Sequence, residues 1–289
     1  MRLDVLLTQR GLAPSRERAR ALIMAGEALV DGRPGAKAGE MIAETATVTL
    51  ASPPAELRYV SRGGLKLERA LDTFGLSPDG RVCVDVGAST GGFTDVLLRR
   101  GARRVYAVDV GHGQLAWSLR TDSRVVVMER VNVRHMADLP EPVDCAVIDV
   151  SFISLRLVLP RVSALLAPEA WVVALVKPQF EAGRAEADRG RGVISDPQAH
   201  RRVLGDLLSW LAGWPERAAV DSAAATPLVP LGLTVSPIVG RDGNHEYLLW
   251  LGSAGEAATR ESALRGEAGE RAIERVVAEA LGGAGPTTP

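Results

Sequence analysis

Lysine is nearly absent from this 289-residue chain: of its 34 basic residues only Lys37, Lys66 and Lys177 are lysine, and the rest are arginine. A guanidinium stays protonated, whereas an ammonium can shift its pKa, so a lysine in such a chain marks a position that arginine does not serve. Cysteine is equally scarce. Cys83 and Cys145 lie inside apolar strand-like runs without metal-ligand spacing, which excludes a disulfide framework, points to small buried hydrophobes in a reducing cytoplasm, and leaves no metal expected. The net charge of −1 excludes binding through bulk positive potential, so any contact with nucleic acid has to come from a local patch. No run of about 18 apolar residues occurs, and Met1-Arg2-Leu3-Asp4 carries an acid where a signal peptide would begin its apolar stretch. A soluble chain with no membrane partner is expected.

With 46% hydrophobic residues the chain can bury an α/β core of ordinary size and still supply a second, smaller unit. Residues 1–50 read as that unit, with two short helices and a strand hairpin. Leu3, Leu6, Leu7 and then Ala19, Leu22, Ile23 fall at helical spacing, and Ser15 is placed to cap the second helix. Ala28-Leu29-Val30 and Ala46–Leu50 read as strands between glycine turns. Residues 51–60, with Pro53-Pro54, form a stiff linker. Over residues 61–251 short apolar strands alternate with helical stretches, which predicts a Rossmann-like α/β domain with a parallel sheet covered on both faces. The strands are Val82–Val86, Arg104–Val108, Val125–Met128, Cys145–Ile148 and Trp171–Val176, with later ones near Leu231–Pro237 and Glu246–Leu251. Residues 252–289 read as a tail, a surface helix around 260–281 and then disorder.

The first strand runs into Asp85-Val-Gly87-Ala-Ser89-Thr90-Gly91-Gly92-Phe93-Thr94, a strand-turn-helix with glycines where a ligand must approach the backbone. Ser89 stands where a dinucleotide fingerprint needs glycine for its pyrophosphate, and an acid opening the turn repels phosphate but suits a sulfonium and an amino group. Asp109 closes the second strand, the usual place for a carboxylate that takes ribose hydroxyls. The pattern matches an S-adenosylmethionine pocket. Asn132, after the third strand, is a candidate for the adenine edge, or else a turn former.

Ligands of open parallel sheets bind at the carboxyl ends of strands. Asp149 and Lys177 each follow a strand at that rim; Glu246 opens a late strand, and Lys66 sits in Ser61-Arg-Gly-Gly-Leu-Lys66. Two of the three lysines thus converge on one edge. Taken with Tyr59-Val-Ser-Arg-Gly-Gly-Leu-Lys66-Leu, Asp85–Asp95, Asp149-Val-Ser-Phe-Ile-Ser-Leu155 and Val176-Lys-Pro-Gln-Phe-Glu181, the chain resembles the TlyA-type rRNA 2′-O-methyltransferases, whose catalytic half is FtsJ-like. That resemblance implies a catalytic tetrad of Lys66, Asp149, Lys177 and Glu246. It implies cofactor contacts from Asp85 to Thr94 with Asp109, and methyl transfer to a ribose 2′-hydroxyl of ribosomal RNA. In the expected mechanism Lys177 accepts or steers the hydroxyl proton. Lys66 and burial lower its pKa while the neighbouring acids raise it, so the net sign is open.

The same resemblance makes residues 1–50 an S4-type RNA-binding domain. Arg2, Arg16, Arg18, Arg20 and Lys37 are its candidate phosphate contacts, although residues 1–60 hold eight basic against seven acidic side chains. Arg184, Arg189 and Arg191, in the loop from Glu181 to Asp196, either close over RNA or remain solvated. The expected partner is ribosomal RNA or a ribosomal subunit, not DNA, met by a cytoplasmic monomer. The rivals are a non-catalytic cofactor-binding ribosome-assembly factor, a pore-forming haemolysin, which the lack of a spanning or strongly amphipathic basic helix opposes, and a small-molecule O-methyltransferase.

Overall fold

Ser15 accepts a hydrogen bond from the Arg18 amide at 3.1 Å, and this cap starts the second helix where the sequence predicted. A computed structural model describes residues 1–13, 15–35, 37–51, 58–182, 192–214, 226–240, 242–253 and 263–282. Helices α1 (Leu3–Gln9) and α2 (Arg16–Met24) pack on a small antiparallel sheet, order β2-β1-β3, made of β1 (Ala28–Val30), β2 (Arg33–Pro34) and β3 (Val48–Leu50). Leu3, Leu6, Leu7, Ala19, Leu22 and Ile23, picked out by helical spacing, are the buried residues between them. Most of the proline linker and the arginine loop lie outside the described residues.

The second unit begins with α3 (Gly63–Phe74), followed by β4 (Val82–Val86), α4 (Gly92–Arg99), β5 (Arg104–Asp109), α5 (Trp117–Arg120), β6 (Val125–Glu129), a 3-10 turn (Val133–His135), β7 (Val143–Ile148), α6 (Leu155–Ser163), β8 (Leu166–Val176) and α7 (Pro178–Glu181). It continues with α8 (Pro197–Ala212), β9 (Leu228–Val235), β10 (Tyr247–Ser253) and α9 (Gly266–Leu281). The strands form one sheet in the order β6-β5-β4-β7-β8-β10-β9. Its first five strands are parallel, as the α/β alternation requires, but β10 runs antiparallel to both neighbours. The short return from β9 to β10 has no crossover helix, and only an antiparallel pair can close that way. Side chains of β4 alternate between the faces: Val82, Val84 and Val86 join the core on one side and Cys83 the core on the other.

The helix expected in a surface tail is part of this core. In α9, Gly269, Ala272, Ile273, Val276 and Val277 fall at helical spacing and are buried, and the helix packs on α8 and β9. Burying such aliphatic side chains contributes on the order of 1.5–3 kcal/mol each, which a detached tail would forgo.

Candidate functional site

The chain leaves β4 for β5 on one side and later returns to β7 on the other, so the order reverses between β4 and β7. Backbone ends part there, and the floor of the site is the meeting of Gly87 and Asp149. Gly87 has φ 86°, and a Cβ on it would press into the Asp149 carbonyl oxygen. Above it opens a cleft of about 320 Å³ lined by Ser89, Thr90, Gly92 and Phe93 of the turn and by Lys66, Asp149, Lys177 and Glu246.

Asp85 lies beneath the turn. It is fully buried and accepts the Thr94 hydroxyl at 2.6 Å on one oxygen, and its other oxygen has no hydrogen-bond partner among the described residues. Burial, against the pull of the Thr94 bond, pushes its carboxyl up to about 7. Gly91, at φ 95°, meets Leu119 and Leu115 rather than the cleft, so packing as well as conformation requires a glycine there. Asp109 accepts the Ser89 amide at 2.8 Å and the Gly111 amide at 2.6 Å, which ties the turn to the end of β5 and fixes its carboxylate beside it. Ser89 takes φ 48°, a left-handed conformation unusual for serine, within that tie. Asn132, considered for the adenine edge, follows β6. Its oxygen accepts the Arg134 amide at 3.1 Å and caps the 3-10 turn, and the residue lines a separate depression with Arg130 and His135.

The four polar residues meet although they come from four elements. Lys66, on α3 rather than at a strand end, reaches Glu246 at 2.5 Å, and Lys177 reaches Asp149 at 2.6 Å. Both ammonium groups are buried. Burial would lower the Lys66 pKa, but the Asp149 and Glu246 carboxylates outweigh it and raise it, so Lys66 is a fixed cation. Burial likewise acts upward on Asp149, and Lys66 and Lys177 overcome it and hold the carboxylate below its usual range. The cluster is a neutral alternation of two ammonium and two carboxylate groups.

Several residues of the cleft escaped the sequence reading. Lys177 also donates to the Ser151 hydroxyl at 2.9 Å. Phe152 is 90% exposed at the cleft with φ 64°, and its ring lies 4.9 Å from that of Phe180. These residues belong to the two motifs that carry Asp149 and Lys177, which was the available signal. Met24 at the end of α2, Ala25 after it and Val239 of the β9–β10 return add to the walls, and nothing in their local sequence marks them.

The arginines of the small unit divide into two groups. Arg2, Arg16 and Arg20 converge on Asp4 at 3.0, 3.2 and 3.1 Å, each about half exposed while Asp4 is fully buried. The Arg2 hydrogen bond, helped by Arg20 and Arg16 against burial, holds Asp4 well below the usual carboxylate range. Lys37 is exposed on the loop whose Ala38 and Glu40 carbonyls accept the first amides of α1. Arg18, expected with them on the RNA face, instead turns inward and donates to the Tyr59 and Val60 carbonyls at 2.7 and 2.6 Å. Arg62 pairs with buried Glu27 at 2.9 Å, so the two units are bolted together by guanidinium contacts in both directions.

A glycine turn over a buried acid, a carboxylate closing the next strand and a polar cluster at the switch point define an S-adenosylmethionine-dependent methyltransferase carrying a small RNA-binding module. The FtsJ-like methyltransferase family matches residues 59–253 and the S4 domain family matches residues 1–46. YqxC of Bacillus subtilis is 48% identical over 96% of this chain and 93% of its own. The 16S/23S rRNA (cytidine-2′-O)-methyltransferase TlyA of Mycobacterium tuberculosis is 43% identical over 96% of this chain and 97% of its own. A solved structure from Streptococcus thermophilus, described as a hemolysin, is 41% identical with a TM-score of 0.68, covering 97% of this chain and 95% of that one. The chain belongs to the TlyA-type family of FtsJ-like rRNA methyltransferases, and its cofactor is S-adenosylmethionine.

Proposed function

We propose that this chain methylates a ribose 2′-hydroxyl of ribosomal RNA through Lys66, Asp149, Lys177 and Glu246. The observation that carries the reading is the juxtaposition of these four charged side chains with the glycine turn in one cleft. The residues fit the cofactor: Ser89, Thr90, Gly92 and Phe93 of the glycine turn line the cleft, the buried Asp85 lies beneath the turn with one oxygen unbonded, and the Asp109 carboxylate is held beside it. Bound there, S-adenosylmethionine supplies an electrophilic methyl group, and the protein has only to align and activate the acceptor oxygen.

Lys177 steers that oxygen. As the oxygen attacks, its proton passes to Lys177 while a Lys177 proton moves to Asp149, 2.6 Å away. Lys66, held as a cation between Glu246 and Asp149, stabilises the negative charge that develops on the oxygen without exchanging its own proton. The exposed Phe152 ring, backed by Phe180, offers a stacking face for a base lifted out of the RNA. Residues 1–50 act as the RNA module through Arg2, Arg16, Arg20 and Lys37, residues 61–251 together with α9 as the catalytic domain, and the protein works in the cytoplasm as a monomer on ribosomal RNA or a subunit rather than on DNA.

Tritium transfer from labelled cofactor to ribosomal subunits tests the reading. Lys177→Arg keeps the charge and loses the proton relay, so turnover should fall at least about 100-fold with cofactor affinity retained. A variant that methylates at the wild-type rate removes Lys177 from the role. Wild-type protein that binds cofactor by calorimetry but transfers no methyl group would favour an assembly factor. Among the described residues no helix is long and apolar enough to cross a membrane, and a vesicle-leakage assay tests the haemolysin name directly.

A further inference from the structure

The loop after β7 and the short helix after β8 meet residue by residue. Lys177 pairs with Asp149 and donates to Ser151, Phe180 packs on Phe152, and Glu181 closes the series: its two oxygens accept the Ser154 hydroxyl at 2.6 Å and the Leu155 amide at 2.7 Å. Ser154 in turn accepts the Arg156 amide, so Glu181 holds the first two amides of α6, one directly and one through Ser154. Between the Lys177 and Glu181 attachments the backbone carries Phe152 in a left-handed conformation, with its ring exposed at the cleft. A non-glycine residue persists there only where both flanks are held.

We propose that Glu181 is a positioning residue: its bidentate clamp on Ser154 and Leu155 fixes the Asp149–Ser154 loop and so presents Phe152 and Asp149 to the acceptor nucleotide. The inference rests on the 2′-O-methyltransferase reading for its effect on turnover, and on geometry alone for the clamp. Glu181 does not line the cleft. It acts through the loop it holds. If it were only a helix cap, its loss would lower stability and leave turnover per folded molecule unchanged.

Glu181→Ala and the milder Glu181→Gln and Ser154→Ala, all in the full chain, separate these roles. In Glu181→Ala the amides of residues 150–155 should exchange with deuterium at least about tenfold faster, with strands β4 and β7 unchanged. On ribosomal subunits kcat should fall roughly 30-fold, with the calorimetric affinity for S-adenosylmethionine within about twofold of wild type. Glu181→Gln keeps one acceptor oxygen and should recover part of the loss, and Ser154→Ala, which loses one of the two bonds, should fall between. Unchanged exchange over residues 150–155 overturns the proposal, and so does a kcat equal to that of active wild type. If wild type transfers no methyl group, the functional reading falls, while the exchange contrast still decides the clamp.

Discussion

Removing the charge beneath the cofactor turn should stabilise the protein, and more so as the pH rises. Asp85 is fully buried, and its carboxyl is pushed from 3.8 to about 7, chiefly by burial and against the Thr94 hydrogen bond. Because the folded value lies above the unfolded one, the stabilising contribution is complete below pH 3.8 and is lost as the pH rises through about 7. At 1.36 kcal/mol per pK unit, the difference of about 3 units amounts to about 4 kcal/mol in full. Between pH 5 and pH 8 linkage places roughly 2.5 kcal/mol of that loss. Asp85→Asn keeps an oxygen for Thr94 and cannot ionise. Its advantage over wild type should therefore grow by about 2–3 kcal/mol from pH 5 to pH 8, on the order of 5–10 °C in unfolding midpoint. Urea titrations of both proteins without cofactor at pH 5, 6, 7 and 8 measure it directly. Stabilities that run parallel within about 0.5 kcal/mol across that range would refute the reasoning. The same variant should bind S-adenosylmethionine more weakly, because the orphaned carboxylate oxygen of Asp85 is then absent.

Gly87→Ala places a Cβ against the Asp149 carbonyl at φ 86°, and cofactor affinity by calorimetry should drop at least about 100-fold, unless the fold itself is lost. Glu246→Gln takes a negative charge from Lys66 and should cut kcat by about 10- to 100-fold with cofactor affinity kept; equal turnover would show that the 2.5 Å pair is only structural. Arg18→Ala forfeits two charged hydrogen bonds to Tyr59 and Val60 and should cost about 2–4 kcal/mol of the coupling between the two units, visible in calorimetry as separation into two transitions. Arg16→Gln or Arg20→Gln should reduce the slope of log affinity for RNA against log salt by roughly 0.7 each, while Arg18→Ala leaves that slope unchanged.

Local chain chemistry made much of this protein legible. Short continuous apolar runs marked the five parallel strands, helical spacing marked the core of the small unit, and Asp85 to Thr94 marked the cofactor turn, because each is decided by residues within about ten positions of one another. The scarcity of lysine singled out Lys66 and Lys177. Their partners were harder to read from the chain alone. Lys66 and Glu246 are 180 residues apart and face each other only because α3 packs beside β10, whose antiparallel insertion depends on a hairpin return. Arg18 was indistinguishable from Arg16 and Arg20 in a run of alternating arginines, and the docking of α2 against Tyr59 and Val60 turned it inward. The amphipathic α9 had the pattern of a core helix, yet glycine and charged residues around it suggested a tail until α8 and β9 supplied the surface it covers. Sequence by itself determined which residues carry charge, bend the backbone and alternate between faces. Only the tertiary structure decided which charges meet, because ion pairs in a cleft form between chain segments that packing, not proximity in sequence, brings to one place.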